Sequence, residues 1–320
     1  MRSFRRILRS PYVLPVATVA TAAALLASYI YNKEDEVIET TLEEKCTKEP
    51  SLREPIMPSL GIEITIHNWK HFRGQPESHK SLCDFFNNEM QRLGQRHFIA
   101  TYLVDVLDGL YGDSLVGLHK TSSAVKNDDT EMIAEGFAKI VSTYVPLGHV
   151  SPQTKRQRLS DILQKINAER SASSHMFNET NFSQKVATIQ GTEKFDVLID
   201  LNTKSELSDM LVHLYISSNY NKQIALLITG LHSLDVLLPF LYHNSSQKLA
   251  LGYFWRVVLN TYVLIGSPQL NFQETNVHHL NWGYIESRAN SPVPSIIQAL
   301  RHLEGSSEQS LYKYAALNCQ

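Results

Sequence analysis

The sequence predicts an all-α fold for most of this 320-residue chain. Apolar residues recur at intervals of three and four through most of residues 81–317, which is the period of an amphipathic helix. The alternation typical of strands is brief and occurs only at 62–66 and 195–201. No repeat of fixed length is visible, which argues against a helical solenoid. We therefore expect one all-helical domain over residues 66–320.

The most apolar stretch lies at 223–268 and consists of two apolar segments joined by the polar residues His243–Gln247. The first segment is apolar on nearly every face, and such a helix is normally enclosed by its neighbours. The second segment ends at Gly266, two residues before Pro268, which is a common helix stop. We interpret the pair as a central helical hairpin. Neither segment is long and charge-free in the way that a bilayer span requires.

Further apolar stripes predict the remaining helices. In chain order they run over 81–93, 99–110, 114–125, 128–144, 159–166, 207–214, 291–303 and 308–317. Phe182, Val186 and Ile189 suggest one more short helix in polar surroundings.

The first 33 residues differ from the rest of the chain. Four arginines within residues 2–9 precede the uncharged apolar run Tyr12–Tyr31, which is long enough to span a bilayer. We predict an N-terminal membrane anchor or targeting segment at 1–33, a single pass in the mitochondrial inner membrane or the endoplasmic reticulum. Two alternatives are that this segment is a mitochondrial presequence, or that it is a secretory signal that is cleaved near Leu26–Ser28. Residues 34–65 are acidic and proline-spaced, and we expect a linker.

Composition limits the classes of function. The net charge of −2 gives no electrostatic reason to expect nucleic acid. Cys46, Cys83 and Cys319 are too far apart for a disulfide framework or a CxxC site, so we expect free thiols. His67 and His71 would lie one helical turn apart, but without a third ligand or an HExxH motif we expect no metal. The sequence contains no GxGxxG after a strand, no GxSxG and no P-loop, so it places no cofactor.

Histidines are the most prominent chemical groups. His119 lies near the start of a predicted helix, and His232 lies in the most apolar one, three residues before Asp235. Two interpretations stay open: each is a satisfied core histidine, or each is a general acid or base tuned by burial. Tyr253, Trp255 and Tyr262 would either line an aromatic ligand pocket or pack in the core.

Several segments of the chain occur in the same order as similar segments of one known protein family. They are Trp69–Gly94, Gly117–His119 with Glu135–Ala138, Leu231–Pro239, Tyr253–Trp255 and Tyr262–Pro268. Together they resemble the questin oxidase-like family over roughly residues 65–318.

The resemblance implies a helical oxidoreductase. The characterised type opens an anthraquinone ring by a Baeyer–Villiger-like oxygen insertion that uses NADPH and O2. His119 and His232 fall on histidines of the family, so the resemblance implies that they are catalytic. On this basis we expect a membrane-anchored oxidoreductase of a small aromatic molecule that uses NADPH, with Tyr253, Trp255 and Tyr262 contacting the substrate.

The chain also departs from the family pattern. Lys120-Thr121-Ser122 replace a proline and an apolar pair after His119, and 291–296 replace an acidic-histidine-apolar-lysine stretch. The family's histidine-rich N-terminal segment is missing, with the anchor and linker in its place. The alternative is therefore a catalytically silent helical binding or scaffold protein on the same fold.

Deleting residues 1–33 tests the anchor. We expect the truncated chain to be soluble and helical, because the apolar run and the acidic linker contribute nothing to the predicted core. Circular dichroism of the truncated chain and carbonate extraction of the full-length protein are the measurements. Aggregation of the truncated chain, or release of the full-length protein by carbonate, would contradict the prediction.

Overall fold

The computed structural model describes residues 63–150, 157–171, 193–197, 199, 203–270, 281–289, 295–304 and 310–318. The helices are α1 His79–Leu93, α2 Gln95–Val106, α3 Val116–Lys126, α4 Thr130–Ser142, α5 Leu159–Ser171, α6 Lys204–Ser217, α7 Lys222–Leu237, α8 Asn244–Leu264, α9 Trp282–Arg288, α10 Ser295–Glu304 and α11 Ser310–Leu317. No strand occurs among these residues, which confirms the all-α prediction.

The structure differs from the predicted helices at their ends, in irregular segments and at α9, a short helix that the sequence did not predict. α3 begins at Val116 instead of Ser114, and the polar residues from Asn244 onwards form the first turn of α8 instead of a loop. At the alternating segment 195–201, Phe195 ends a 3-10 turn, and the described residues after it are irregular. The predicted anchor, most of the linker and the predicted helix around Phe182 lie outside the described residues.

Helix α7 occupies the centre of the fold. It packs against α3, α6, α8 and α10, as predicted for a helix that is apolar on most faces. Gly230 permits this close approach, because a Cβ there would lie 2.6 Å from Leu115 Cδ1 and 3.2 Å from Phe254 Cε2. The segment Lys222–Phe240 is long and apolar enough to cross a membrane, with a mean hydropathy of 1.5. More than half of it is buried inside the fold, and a core helix passes the same test.

A buried arginine joins α8 to two irregular segments. The Arg256 guanidinium is fully buried and forms an ion pair with Asp196, with Nε 3.1 Å from Oδ1. Its Nη1 donates to the Leu147 carbonyl at 2.6 Å and its Nη2 to the His149 carbonyl at 3.2 Å. One side chain therefore fixes α8, the chain after α4 and the segment 193–197 to one another.

The approach to α3 is strained. Asp113, Ser114 and Leu115 have φ values of 46°, 50° and 69°, and a left-handed backbone is unfavourable for residues with a Cβ. Two contacts compensate for the strain: Asp113 forms an ion pair with Lys139 at 2.5 Å, and the Leu115 side chain is buried. This turn determines where α3 begins and which of its faces is directed towards α7.

Replacing Ser114 with glycine relieves part of this strain. Ser114 is exposed, and glycine adopts the left-handed conformation without a Cβ clash. We expect Ser114→Gly to raise the free energy of unfolding by about 0.5–1 kcal/mol, measured by urea denaturation. The control is Ser123→Gly, an exposed position inside α3, which should lower it by about 0.5 kcal/mol. Destabilisation by both changes would show that the left-handed turn carries no strain.

Candidate functional site

Polar side chains of α7 and of three of its neighbours, α3, α6 and α10, meet along one side of this otherwise apolar helix. We refer to them as the α7 seam, which comprises Thr229, His232, Ser233 and Asp235 of α7, His119 and Lys126 of α3, Lys204 of α6 and His302 of α10. The seam contains both histidines that the sequence singled out. It begins in the interior at His119 and ends at the surface at Lys126 and His302.

His119 occupies the buried end of the seam, and both of its ring nitrogens are bonded. Nδ1 lies 2.9 Å from Ser233 Oγ, and Nε2 lies 3.3 Å from Thr229 Oγ1. The Thr229 hydroxyl lies within donating distance of the carbonyls of Ala225 and Leu226, so its oxygen is left to accept from Nε2–H. We therefore assign the proton to Nε2 and let Nδ1 accept from Ser233. Burial lowers the pKa of His119 to about 4, so the ring is neutral near pH 7.

His232 has a different environment. Its Nε2 lies 2.7 Å from the Lys126 ammonium, which can only donate, so the proton of the neutral ring is on Nδ1. That nitrogen is buried and has no hydrogen-bond partner among the described residues. Burial, followed by the charges of Lys126 and His302, lowers the pKa of His232 to about 4. An unsatisfied donor is costly, so this ring is less stably held than His119.

A pair between His232 and Asp235, which their spacing of three residues would allow, does not form. The Asp235 carboxylate instead binds the Lys204 ammonium and, at 2.9 Å, His302 Nε2. Burial raises the pKa of Asp235, but the bonds from His302 and Lys204 outweigh burial and lower it overall. A spacing of three residues put the two side chains on neighbouring faces, but stronger partners on α6 and α10 attract the carboxylate. His232 is in contact with the ring of His302, with centroids 4.3 Å apart.

The three aromatic residues expected to contact substrate do not converge. Trp255 and Tyr262 are fully buried, and they donate to the carbonyls of Phe195 at 3.1 Å and Pro268 at 2.9 Å. Tyr253 instead lies near Asp108, which raises its pKa after the larger effect of burial. No hydrogen bond or ring contact connects any of the three to the described residues of the seam.

Tyr262 does border a cavity of about 200 Å³. Its other lining residues are Gln164 and Asn167 of α5 and Gln269 and Leu270 after α8. The lining is mainly polar, and the space is sufficient only for a small molecule. Substrate contact by Tyr253, Trp255 and Tyr262 therefore stays a prediction.

A second polar cluster was not predicted. Arg73 Nη1 lies 3.3 Å from both Asp108 Oδ2 and the Tyr144 hydroxyl, and its guanidinium lies 4.7 Å from the centre of the Tyr144 ring. The Tyr144 hydroxyl also donates to Asp108. These residues are more than 30 positions apart, so no local pattern connects them. The sequence feature that could have indicated this cluster is the position of Arg73 within the family-like segment Trp69–Gly94.

Cys83 is a free thiol, as predicted, and is not activated. Its Sγ lies 3.7 Å from His79 Nε2, but burial raises its pKa to about 11, so the thiol stays protonated. Cys46 and Cys319 lie outside the described residues. His67 and His71 flank the start of a 3-10 turn, not an α-helical one, and the described residues contain no group of three metal-ligating side chains.

A family model described as questin oxidase-like matches residues 17–314. The match begins inside the apolar N-terminal run, well before the 65–318 expected from the sequence segments. No curated protein matches the chain.

The His119 environment predicts a pH dependence of stability. Its pKa of about 4 in the fold lies below about 6.5 in the unfolded chain, so between these values the unfolded chain binds more protons. The contribution of His119 to the free energy of unfolding is therefore fully present above pH 6.5 and is lost as the pH drops towards 4. Between pH 7 and pH 5 we expect the free energy of unfolding to fall by about 1–2 kcal/mol less in His119→Gln than in the wild type. Urea denaturation at each pH measures this difference.

The control for this prediction is His97→Gln, because His97 is exposed on α2. It should keep the pH dependence of the wild type. An unchanged pH dependence in His119→Gln would show that His119 does not titrate differently in the fold.

Proposed function

This chain belongs to the questin oxidase-like family, and we propose that it is an oxidoreductase of the oxidase type whose chemistry takes place at the surface end of the α7 seam. The family itself suggests the oxidase-type function. The finer proposal is an NADPH- and O2-dependent, Baeyer–Villiger-like oxidation of an aromatic or quinone-type substrate. We further propose that residues 1–33 anchor the enzyme in the mitochondrial inner membrane or the endoplasmic reticulum.

The observation that supports a reactive site is the arrangement of His232 and Lys126. The Lys126 ammonium, 2.7 Å from His232 Nε2, can donate a proton to a substrate oxygen or hold that oxygen, and Nε2 is then free to accept a proton. Residues with shifted pKa values beside a specific charged partner are concentrated at functional sites. We assign His232 the role of acid or base at the reacting oxygen and Lys126 the role of its charged partner.

His119 has a different role in this proposal. Both of its nitrogens are engaged by Ser233 and Thr229, so no nitrogen is available to exchange a proton with substrate. Its bonds hold α3 against α7, and α3 also carries Lys126. His119 is therefore a positioning residue that keeps Lys126 within reach of His232.

The proposed cofactor has no recognisable site in the described part of the chain. A dinucleotide site of the common type needs a strand, a glycine-rich turn and a helix, and the described residues contain no strand. NADPH is thus proposed from the family alone, and no step is assigned to it.

A second candidate function is a catalytically silent binding or scaffold protein. The hydroxyls that replace family residues after His119 are used within α3, because Thr121 donates to the Gly117 carbonyl at 2.9 Å and Ser122 to the His119 carbonyl at 3.0 Å. These hydroxyls are bonded to backbone carbonyls inside the helix instead of to a ligand. Ligand binding without oxygen consumption would favour this alternative.

The substitution His232→Gln tests the proposed chemistry. Glutamine retains an acceptor for Lys126 but does not exchange protons near neutral pH, so turnover should fall by roughly 10²–10⁴. The fold should survive with a loss of about 1–3 kcal/mol through the altered buried contacts. The measurement is NADPH-dependent oxygen consumption with a quinone-type aromatic, divided by the folded fraction from thermal melts.

His97→Gln is the matched control because it changes an exposed histidine outside the seam. It should retain wild-type turnover. Normal turnover per folded molecule in His232→Gln would remove His232 from the mechanism, and absence of turnover in the wild type would favour the silent protein.

A further inference from the structure

Lys126 is the lysine at the surface end of the α7 seam. Its ammonium lies 2.7 Å from His232 Nε2, and it has no acidic partner among the described residues. The carboxylate nearest in the seam, Asp235, is already bound by Lys204 and His302. Lys126 therefore presents an exposed ammonium that no described carboxylate pairs with.

Two other partly buried lysines are paired. Lys204 of the seam forms an ion pair with Asp235, and Lys120, on the same helix as Lys126, forms one with Glu135. Partial burial disfavours the ammonium form of Lys126 and lowers its pKa. An anionic group brought next to this ammonium would offset that cost, whereas a neutral group would not.

The surroundings of Lys126 fit an anionic oxygen on an aromatic ring. Its direct neighbour in the seam is the neutral His232 imidazole, and the one carboxylate of the seam, Asp235, is bound by Lys204 and His302. His302, whose side chain is 47% exposed, lies against His232 and provides a flat surface at the edge of the seam. A planar ring can pack on such a surface while its oxygen reaches the ammonium.

We propose that Lys126 is the counter-ion of an anionic oxygen, a phenolate or a carboxylate on an aromatic ligand, that binds at the edge of the α7 seam beside His232 and His302. This inference rests on the proposed function, since it specifies the substrate class of the same site. The same chemistry could be supplied by a phosphate oxygen of a nucleotide cofactor. Direct binding measurements separate the two sources and do not depend on turnover.

The experiment measures binding to the full-length protein in detergent by isothermal titration calorimetry. The probes are 2-naphthoate, its neutral analogue 2-naphthamide, and NADPH. We expect Lys126→Met to weaken 2-naphthoate binding by about ten- to hundred-fold, the usual contribution of a hydrogen bond to a charged group. Lys126→Arg, which retains the charge, should weaken it only a few-fold, and the binding of 2-naphthamide should be the same in all variants.

Lys222→Met is the matched control, because it removes one positive charge from an exposed position on α7 outside the seam. It should bind 2-naphthoate like the wild type. Thermal melts of each variant confirm that the folded fraction is unchanged, and Lys126→Gln serves if the methionine variant is unstable.

Each result decides the inference. Selective loss of 2-naphthoate binding supports an anionic substrate, and selective loss of NADPH binding supports an anionic site for the cofactor phosphate. The inference is overturned if Lys126→Met binds 2-naphthoate and NADPH as tightly as the wild type does. It is also overturned if the wild type binds neither of these two anions. If Lys126 is required for binding but the protein never consumes oxygen, the site stands and the proposed oxidase activity fails.

Discussion

The fold depends on how one buried charge is satisfied. Removing the Arg256 guanidinium from water is expensive, and an ion pair alone rarely recovers that cost in the interior. Here Asp196 binds it directly, and the carbonyls of Leu147 and His149 accept further hydrogen bonds. Loss of one partner would leave an uncompensated buried charge and cost about 3–5 kcal/mol. The irregular chain after α4 and at 193–197 is thus fixed to α8 by bonds that Arg256 requires.

This constraint extends to the seam through helix packing. With α8 fixed, Phe254 packs on Gly230 of α7, and Leu115 of the left-handed turn packs against the same glycine. Helix α7 therefore has little freedom to rotate, and its polar side chains face α3, α6 and α10. Partners from those helices satisfy most of the groups, as His119 does for Ser233 and Lys204 does for Asp235. A rigid apolar helix is what allows a short polar seam to exist in this core.

The existence of the helices was predictable because the period of three and four is a property of the local sequence. Helix boundaries were less so. The left-handed turn at Asp113–Leu115 moved the start of α3, since its strain is compensated by tertiary contacts. The members of the candidate site were partly predictable, because a histidine in an apolar helix is conspicuous. Their partners were not: Lys126 reaches His232 across 106 residues, and that proximity exists only after folding.

The two histidines that the sequence treated alike are chemically different in the structure. His119 has both nitrogens bonded, so its ring contributes to the positions of α3 and α7 whether or not the protein is an enzyme. His232 has one nitrogen bound to a cation and the other buried without a partner in the described part of the chain, an arrangement that stability alone does not favour. A purely structural protein would gain from an apolar residue at this position. The choice between an oxidase and a silent relative therefore depends on His232 and on the Lys126 ammonium beside it, which forms no ion pair with a described residue. It does not depend on the number of histidines in the core.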